Sequence, residues 1–128
     1  MPEPATVDVE LDFDLTLLSD VRAIVRQHAE NSGLAPDRVA GIELAASEIA
    51  TNSVAYGGGH GHLRCWMDGD RFVCELRDAG RIVQPFVGRT PPTPGQASGY
   101  GLWLAQQLCD VVEIRSGADG TVVRISST

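Results

Sequence analysis

Residues 36–57 read Pro-Asp-Arg-Val-Ala-Gly-Ile-Glu-Leu-Ala-Ala-Ser-Glu-Ile-Ala-Thr-Asn-Ser-Val-Ala-Tyr-Gly, and the fold turns on how this stretch is read. Pro36-Asp37 opens a helix, because proline already has a helical φ and lacks an N–H that the first turn could not satisfy. Val39, Ile42, Ala45, Ala46, Ile49 and Ser53 then recur at helical spacing on one face. Gly57-Gly58-Gly59 stops the helix. Glu48 and Asn52 are four residues apart, so they lie about one turn from each other on the same side. At ~100° per residue Asn52 falls at one border of the apolar stripe and Glu48 a little further out, with Leu44 one turn earlier on that flank. On a half-buried flank a carboxylate can act as a base and a side-chain amide can hold a metal. More commonly such a pair is the polar border of an amphipathic helix, and an isolated E-x-x-x-N does not separate the two.

Outward from this helix, Val7 to Phe13 alternate apolar and acidic residues, the pattern of a half-buried strand with Val7, Val9, Leu11 and Phe13 on one side. Ser19 or Asp20 is placed to cap a helix carrying Val21, Ile24, Val25 and Ala29, which stops at Asn31-Ser32-Gly33. After the glycine run, His62 to Met67 and Arg71 to Arg77 form a hairpin turning at Asp68-Gly69-Asp70. Leu63, Cys65, Met67, Phe72, Cys74 and Leu76 give it one apolar face. The stretch from Ala79 to Ser98 contains Pro85, Pro91, Pro92 and Pro94 and has no periodicity. Loops this long in a compact domain are mostly lids or binding loops. A third helix runs from near Leu102 to about Cys109, and a last hairpin pairs Val111–Arg115 with Thr121–Ile125. The order β-α-α-β-β-lid-α-β-β predicts an α+β two-layer sandwich, a mixed sheet of about five strands with three helices on one face.

The chain has 128 residues, 43% of them hydrophobic, which suits one domain over residues 1–128 and is too little for two. Net charge is −7, without the basic footprint of a nucleic-acid binder. No apolar run approaches the ~20 residues that span a bilayer, and Met1-Pro2-Glu3-Pro4 does not open a signal segment, so a cytoplasmic location is expected. Cys65, Cys74 and Cys109 form no CxxC pair and read as small buried hydrophobes. All ten basic residues are arginine. Without lysine there is no P-loop, no Schiff base and no eukaryotic-type protein-kinase site. Phosphate, if handled at all, must be met by backbone amides, a metal ion or arginine. The absence of a G-x-S-x-G elbow removes the simplest serine-hydrolase reading. His60 and His62 flank Gly61 with Cys65 nearby, but no fourth ligand completes a metal-binding spacing.

Three further places could carry chemistry. Asp78 ends the first hairpin and is followed by Ala79-Gly80; an acid there can accept a hydrogen bond from a ligand amino group, and Gly80 lets that ligand approach the backbone. A plain turn aspartate is the commoner role. Gly99-Tyr100-Gly101 precedes the third helix, where exposed N–H groups and the helix dipole suit a phosphate, although a hinge explains the glycines as well. Thr121, after Gly120, is either part of a site or simply a good strand residue.

Each signal is weak by itself, but the order in which they occur resembles the GHKL (Bergerat-fold) superfamily of gyrase, Hsp90, histidine kinases and MutL. Within it, the compact form resembles the anti-sigma factor serine/threonine kinases. Ser47-Glu48-Ile49-Ala50-Thr51-Asn52-Ser53-Val54 is similar to the family's N-box, Asp78-Ala79-Gly80 to its G1 box, Gly99-Tyr100-Gly101-Leu102 to its G2 box, and Gly120-Thr121 to its terminal element. The resemblance runs from Leu11 to Ile125.

It implies that Asn52 coordinates Mg²⁺ bridging the phosphates of ATP and that Glu48 is the general base for the attacking hydroxyl. Asp78 and Gly80 would meet the adenine, with Thr121 supporting through water. Gly99, Gly101 and Leu102 would lie at the phosphates, and residues of about 80–98 would form the lid. In function it implies an anti-sigma factor that phosphorylates a serine of an STAS-type antagonist, its partners being a sigma factor and that antagonist. It implies no direct contact with nucleic acid or membrane, and it is compatible with a homodimer. Two positions depart from the pattern: Ile82 stands where the G1 box often has its second glycine, and Val122 replaces a threonine. Ile82 favours an alternative, a nucleotide-binding interaction module that sequesters a regulator without phosphorylating it; the intact Glu48–Asn52 pair disfavours that. A detached histidine-kinase catalytic domain usually carries a longer lid and a dimerisation helix pair, for which 128 residues leave no room.

Overall fold

The computed structural model describes residues 1–80 and 100–128. Strand β1 (Val9–Asp14) leads through a 3₁₀ turn (Leu15–Leu17) into α1 (Leu18–Asn31) and α2 (Pro36–Tyr56). The hairpin β2 (His60–Asp68) and β3 (Arg71–Asp78) follows, then α3 (Tyr100–Leu108) and the hairpin β4 (Val111–Gly117) and β5 (Gly120–Ser127). The strand order is β1-β2-β3-β5-β4. The predicted element order holds, but the sheet is antiparallel in every described pairing rather than mixed. β3 and β4, joined through α3, do run parallel, yet β5 is inserted between them. No parallel pair is therefore adjacent.

The three helices lie on the face that carries Leu63, Cys65, Phe72, Cys74, Leu76, Val123 and Ile125, and these merge with Val21, Val25, Ile42, Ala46, Ile49 and Ala105 in one core. Alternation in β1 is as predicted, with Phe13 buried at 2% exposure between exposed acids. The cap of α1 is not Ser19 or Asp20. The 3₁₀ turn feeds directly into the helix, so the capping point moves upstream to Asp14, whose carboxylate accepts from the Thr16 N–H at 2.9 Å. Asp20 instead sits in the first turn of α1, where its charge suits the helix dipole. Along α2, Gly41 lets α3 come close: a Cβ there would lie 3.3 Å from the Leu108 carbonyl oxygen. Cys65 and Cys74 face each other across β2 and β3 as buried free thiols, Sγ to Sγ 3.5 Å.

The opposite face holds a charge pattern that alternation alone did not predict. In register across all five strands lie Glu10, Arg64, Glu75, Arg124 and Glu113. Glu75 at the centre is fully buried. Its Oε1 accepts from Arg64 Nε and Arg77 Nε, each at 2.8 Å, and its Oε2 from Arg124 Nε at 2.8 Å. Burial pushes the Glu75 carboxyl up, but the hydrogen bonds from Arg64, Arg77 and Arg124 more than offset that and hold it down at about 2, against an ordinary 4.5. A carboxyl whose pKa is depressed by folding stabilises the fold above its unfolded value and loses that contribution as pH falls. Stability should therefore decline as pH drops from about 4.5 toward about 2, and Glu75→Gln should flatten that part of the curve in denaturant titrations. At neutral pH Glu75→Ala should cost about 3–5 kcal/mol, because three guanidinium groups lose their shared counter-charge.

Candidate functional site

Glu48 and Asn52 are both half-buried on α2, as the helical spacing predicted, while the residues between them, Ile49 and Ala50, turn into the core. Among the described residues no hydrogen bond or ion pair engages either head group. Neighbouring hydroxyls are spent within the helix: Thr51 Oγ1 donates to the Ser47 carbonyl at 2.8 Å and Ser53 Oγ to the Ile49 carbonyl at 3.2 Å. Two polar groups of α2 are thus left facing outward.

The helix directions fix what lies near them. α2 ends at Gly57, whose carbonyl accepts from the Ala79 N–H at 3.1 Å, so its C-terminus sits at the end of β3. α3 ends at the opposite end of the strands, where the Cys109–Asp110 backbone reaches β5 (Asp110 N–H to the Ser126 carbonyl, 2.9 Å). With Gly41 beside Leu108, α3 runs antiparallel to α2. A rise of ~1.5 Å per residue then sets the first turn of α3 level with Glu48, with Asn52 about one turn beyond it. Gly101 belongs to that first turn, and Leu102 is a core residue at 6% exposure, so only its backbone could meet a ligand. Gly99, Ile82 and the expected lid of about 80–98 lie, from residue 81 onward, outside the described residues.

Asp78 is the last residue of β3 and pairs with Thr121 on β5. Its Oδ1 accepts from the Gly80 N–H at 2.8 Å, and Oδ2 has no partner among the described residues. Three glycines wrap this carboxylate with bare backbone. A Cβ on Gly57 would come within 2.6 Å of Asp78 Oδ2, and one on Gly80 within 2.8 Å of the Gly57 Cα. A Cβ on Gly120 would overlap the Asp78 carbonyl, and φ there is +115, a region side chains avoid. Thr121 is buried; its Oγ1 donates to the Gly80 carbonyl at 2.9 Å and shares a 2.8 Å hydrogen bond with Ser116 Oγ. The hydroxyl expected to act through water is thus already spent, as a donor, on fixing Gly80.

Sequence reasoning missed Gly57 and Ser116. Gly57 had been read only as part of a helix stop, and its φ of −108 is open to any residue, so the reason for glycine is contact. Ser116 could have been found from the hairpin register, which sets it opposite Thr121. Both ring nitrogens of His62 are engaged: Nδ1 bonds Asp12 at 2.6 Å and Nε2 bonds Glu10 at 2.9 Å, and although burial opposes it, these two carboxylates raise the imidazole pKa. Among the described residues no group of three His, Cys, Asp or Glu could hold a metal ion. A cation at this end would need Asn52 together with the ligand's own oxygens, and the unengaged amide of Asn52 fits a hard cation such as Mg²⁺.

An antiparallel sheet under three helices, with polar groups gathered where α2, β3 and the β4–β5 turn meet, defines an ATPase-like sandwich. The chain belongs to the histidine kinase-like ATPase domain family, which matches residues 11–127. No curated protein sequence matches it. Among solved structures, the fold is shared with the RsbU and RsbW domains of Rv1364c from Mycobacterium tuberculosis (TM-score 0.66, 22% identity, 93% of this chain and 32% of that one). It is also shared with the SiaB-SiaC complex from Pseudomonas aeruginosa (0.65, 10%, 94% and 89%) and the histidine kinase domain of the Erythrobacter litoralis EL346 blue-light activated histidine kinase (0.58, 17%, 88% and 59%). The chain thus spans about a third of the first of these. No helix among the described residues is long and apolar enough to cross a membrane.

The wrapping of Asp78 can be tested without ligand. Gly57→Ala should cost about 1–3 kcal/mol, the usual effect of overpacking, whereas Gly117→Ala, which meets nothing within 4 Å, should be nearly neutral. Thermal melts of the two variants decide it; equal stability would show that α2 does not rest on the Asp78 carboxylate.

Proposed function

We propose that residues 1–128 form one domain that binds Mg-ATP, acts as a protein serine kinase on an STAS-type antagonist, and sequesters a sigma factor when that antagonist is phosphorylated. The observation that carries this reading is Asp78: a carboxylate with one oxygen fixed by Gly80 and the other unpartnered, surrounded by bare glycine backbone, at the end of the sheet to which Asn52 and the start of α3 also point. Such a group can accept a hydrogen bond from an exocyclic amino group. The family, and the likeness in fold to an RsbW domain and to SiaB-SiaC, support the choice.

In this reading each residue has one task. Asp78 orients the nucleotide, and the Thr121–Gly80 hydrogen bond keeps the backbone beside it in place. Asn52 would supply a carbonyl oxygen to the cation, and the backbone N–H groups of Gly101 and Leu102 at the dipole end of α3 would meet phosphate oxygens, a task shared by Gly99, which lies outside the described residues. Bound Mg²⁺ neutralises charge on the phosphates. Glu48, one turn before Asn52, accepts the proton of the attacking serine hydroxyl. Lysine has no part in this, in keeping with its absence from the chain.

The test separates enzyme from binding module. Glu48→Gln should leave nucleotide binding nearly intact and lower phosphotransfer by ~10²–10⁴-fold, the usual worth of a positioned base. Asn52→Ala should weaken Mg-ATP binding itself, and Asp78→Asn should weaken it strongly, because an acceptor becomes mismatched to the adenine amino group. Calorimetry reads the binding, and transfer from γ-labelled ATP to antagonist proteins of the same genome reads the activity. A wild-type chain that binds ATP and a sigma factor but labels no antagonist is a sequestering module, and Glu48 is then only the polar border of α2.

A further inference from the structure

The sheet face away from the helices gathers three guanidinium groups around one buried carboxylate in a chain whose net charge is −7, with Glu10, Asp12 and Glu113 further out on the same face. Arg64, Arg77 and Arg124 converge on one buried carboxylate, Glu75. Glu10, in register with Arg64 at the sheet edge, is instead bonded to His62. Beyond Glu75, the three guanidinium groups are met by residues 2 and 3. Leaving the sheet edge at Asp8, whose N–H donates to the Cys65 carbonyl, the segment crosses β2 and β3 toward β5. Glu3 Oε2 lies 3.1 Å from Arg64 Nη1 and Glu3 Oε1 lies 3.6 Å from Arg77 Nη2. The Pro2 carbonyl accepts from Arg124 Nη1 at 2.6 Å.

This cover is thin. The Glu3 side chain is 68% exposed, and exposed ion pairs contribute little. Pro2 and Pro4 cannot donate hydrogen bonds, so the segment lies on the face without joining the sheet. Beneath it the surface is built as for a tighter ligand. Arg124 is 7% exposed, yet its Nη2 has no acceptor among the described residues, a buried donor left unpaired there. Trp66, 4% exposed, lies against the guanidinium groups of Arg64 and Arg124, 5.3 and 5.0 Å from its ring centre. A flat ring and interlocked guanidinium groups hold these donors in fixed directions.

We propose that the face around Arg64, Arg77 and Arg124 is a docking site for an extended acidic segment of a partner protein, and that residues 1–5 occupy it in cis as a displaceable strap. Carboxylates spaced along an extended chain match the arginines, and a backbone carbonyl or carboxylate serves Arg124 Nη2 better than Pro2 does. A long polyanion such as nucleic acid suits the site less, because the remainder of the chain is acidic and repels it. The site is on the far side of the sheet from the nucleotide end, so it stands or falls independently of phosphotransfer.

The test uses the full chain and a fluorescent peptide with the sequence of residues 1–8 as probe, followed by anisotropy at low salt. Glu3→Arg, an exposed change that repels the strap, should bind the peptide roughly tenfold more tightly than wild type, the scale expected when a tethered competitor is removed. That gain should disappear when Arg77→Gln is added, with thermal melts confirming that both variants are folded, and when Glu is replaced by Gln in the peptide. Equal affinity for wild type and Glu3→Arg, or no binding to Glu3→Arg at about millimolar peptide, overturns the proposal. So does self-association of Glu3→Arg on sedimentation without peptide binding, which would make a second copy the occupant, or preferential binding of a short single-stranded oligonucleotide.

Discussion

The C-terminal turn of α2 can reach the end of β3 only because Gly57 has no side chain. The Asp78 carboxylate fills the space where a Cβ would be, and Gly80 in turn lies against the Gly57 Cα. This three-way contact of bare backbone closes the helical layer onto the sheet, and two links hold it: the Ala79 N–H to the Gly57 carbonyl, and Thr121 Oγ1 to the Gly80 carbonyl. The same atoms that join helix to sheet therefore set the direction of Asp78 Oδ2, which has no partner among the described residues. Rigidity at the joint and the direction of that oxygen have a single cause.

The two faces of the sheet solve different problems. On the helix side, aliphatic and thiol side chains remove apolar area from water, and the few buried hydroxyls include Ser53 and Thr121, which bond to nearby carbonyls. On the other side, Glu75 is buried as an ion, which is tolerable only because three guanidinium groups supply its hydrogen bonds. Cross-strand register does this work, since Arg64 and Arg124 flank Glu75 on the neighbouring strands. The same three guanidinium groups also hold Glu3 and the Pro2 carbonyl, so residues 2 and 3 rest on the groups that satisfy Glu75.

In the proposed reading, handling phosphate without lysine shifts the burden to groups whose position depends on backbone. Helix N-termini, glycine-bounded turns and a side-chain amide act only if the elements carrying them are correctly set. In this fold the antiparallel course of α2 and α3 provides that setting, and Gly41 against Leu108 fixes how closely the two helices approach.

Local periodicity was enough to read the elements of this protein. The 3.6-residue recurrence from Val39 to Ser53 and the alternation in the hairpins report directly which side of each element meets the core, because burial acts residue by residue. Glu48, Asn52 and Asp78 were legible as well, since helix pitch and a strand end fix their local placement. The insertion of β5 between β3 and β4 was not legible, and the sheet expected to be mixed is antiparallel for that reason. Nor were the capping of the 3₁₀ turn by Asp14, the role of Gly57, the Ser116–Thr121–Gly80 chain or the burial of Glu75. Each of these depends on which residues distant in sequence become neighbours. Steric exclusion at a bare Cα and the solvation of a buried charge are properties of that neighbourhood, and only the tertiary structure decides them.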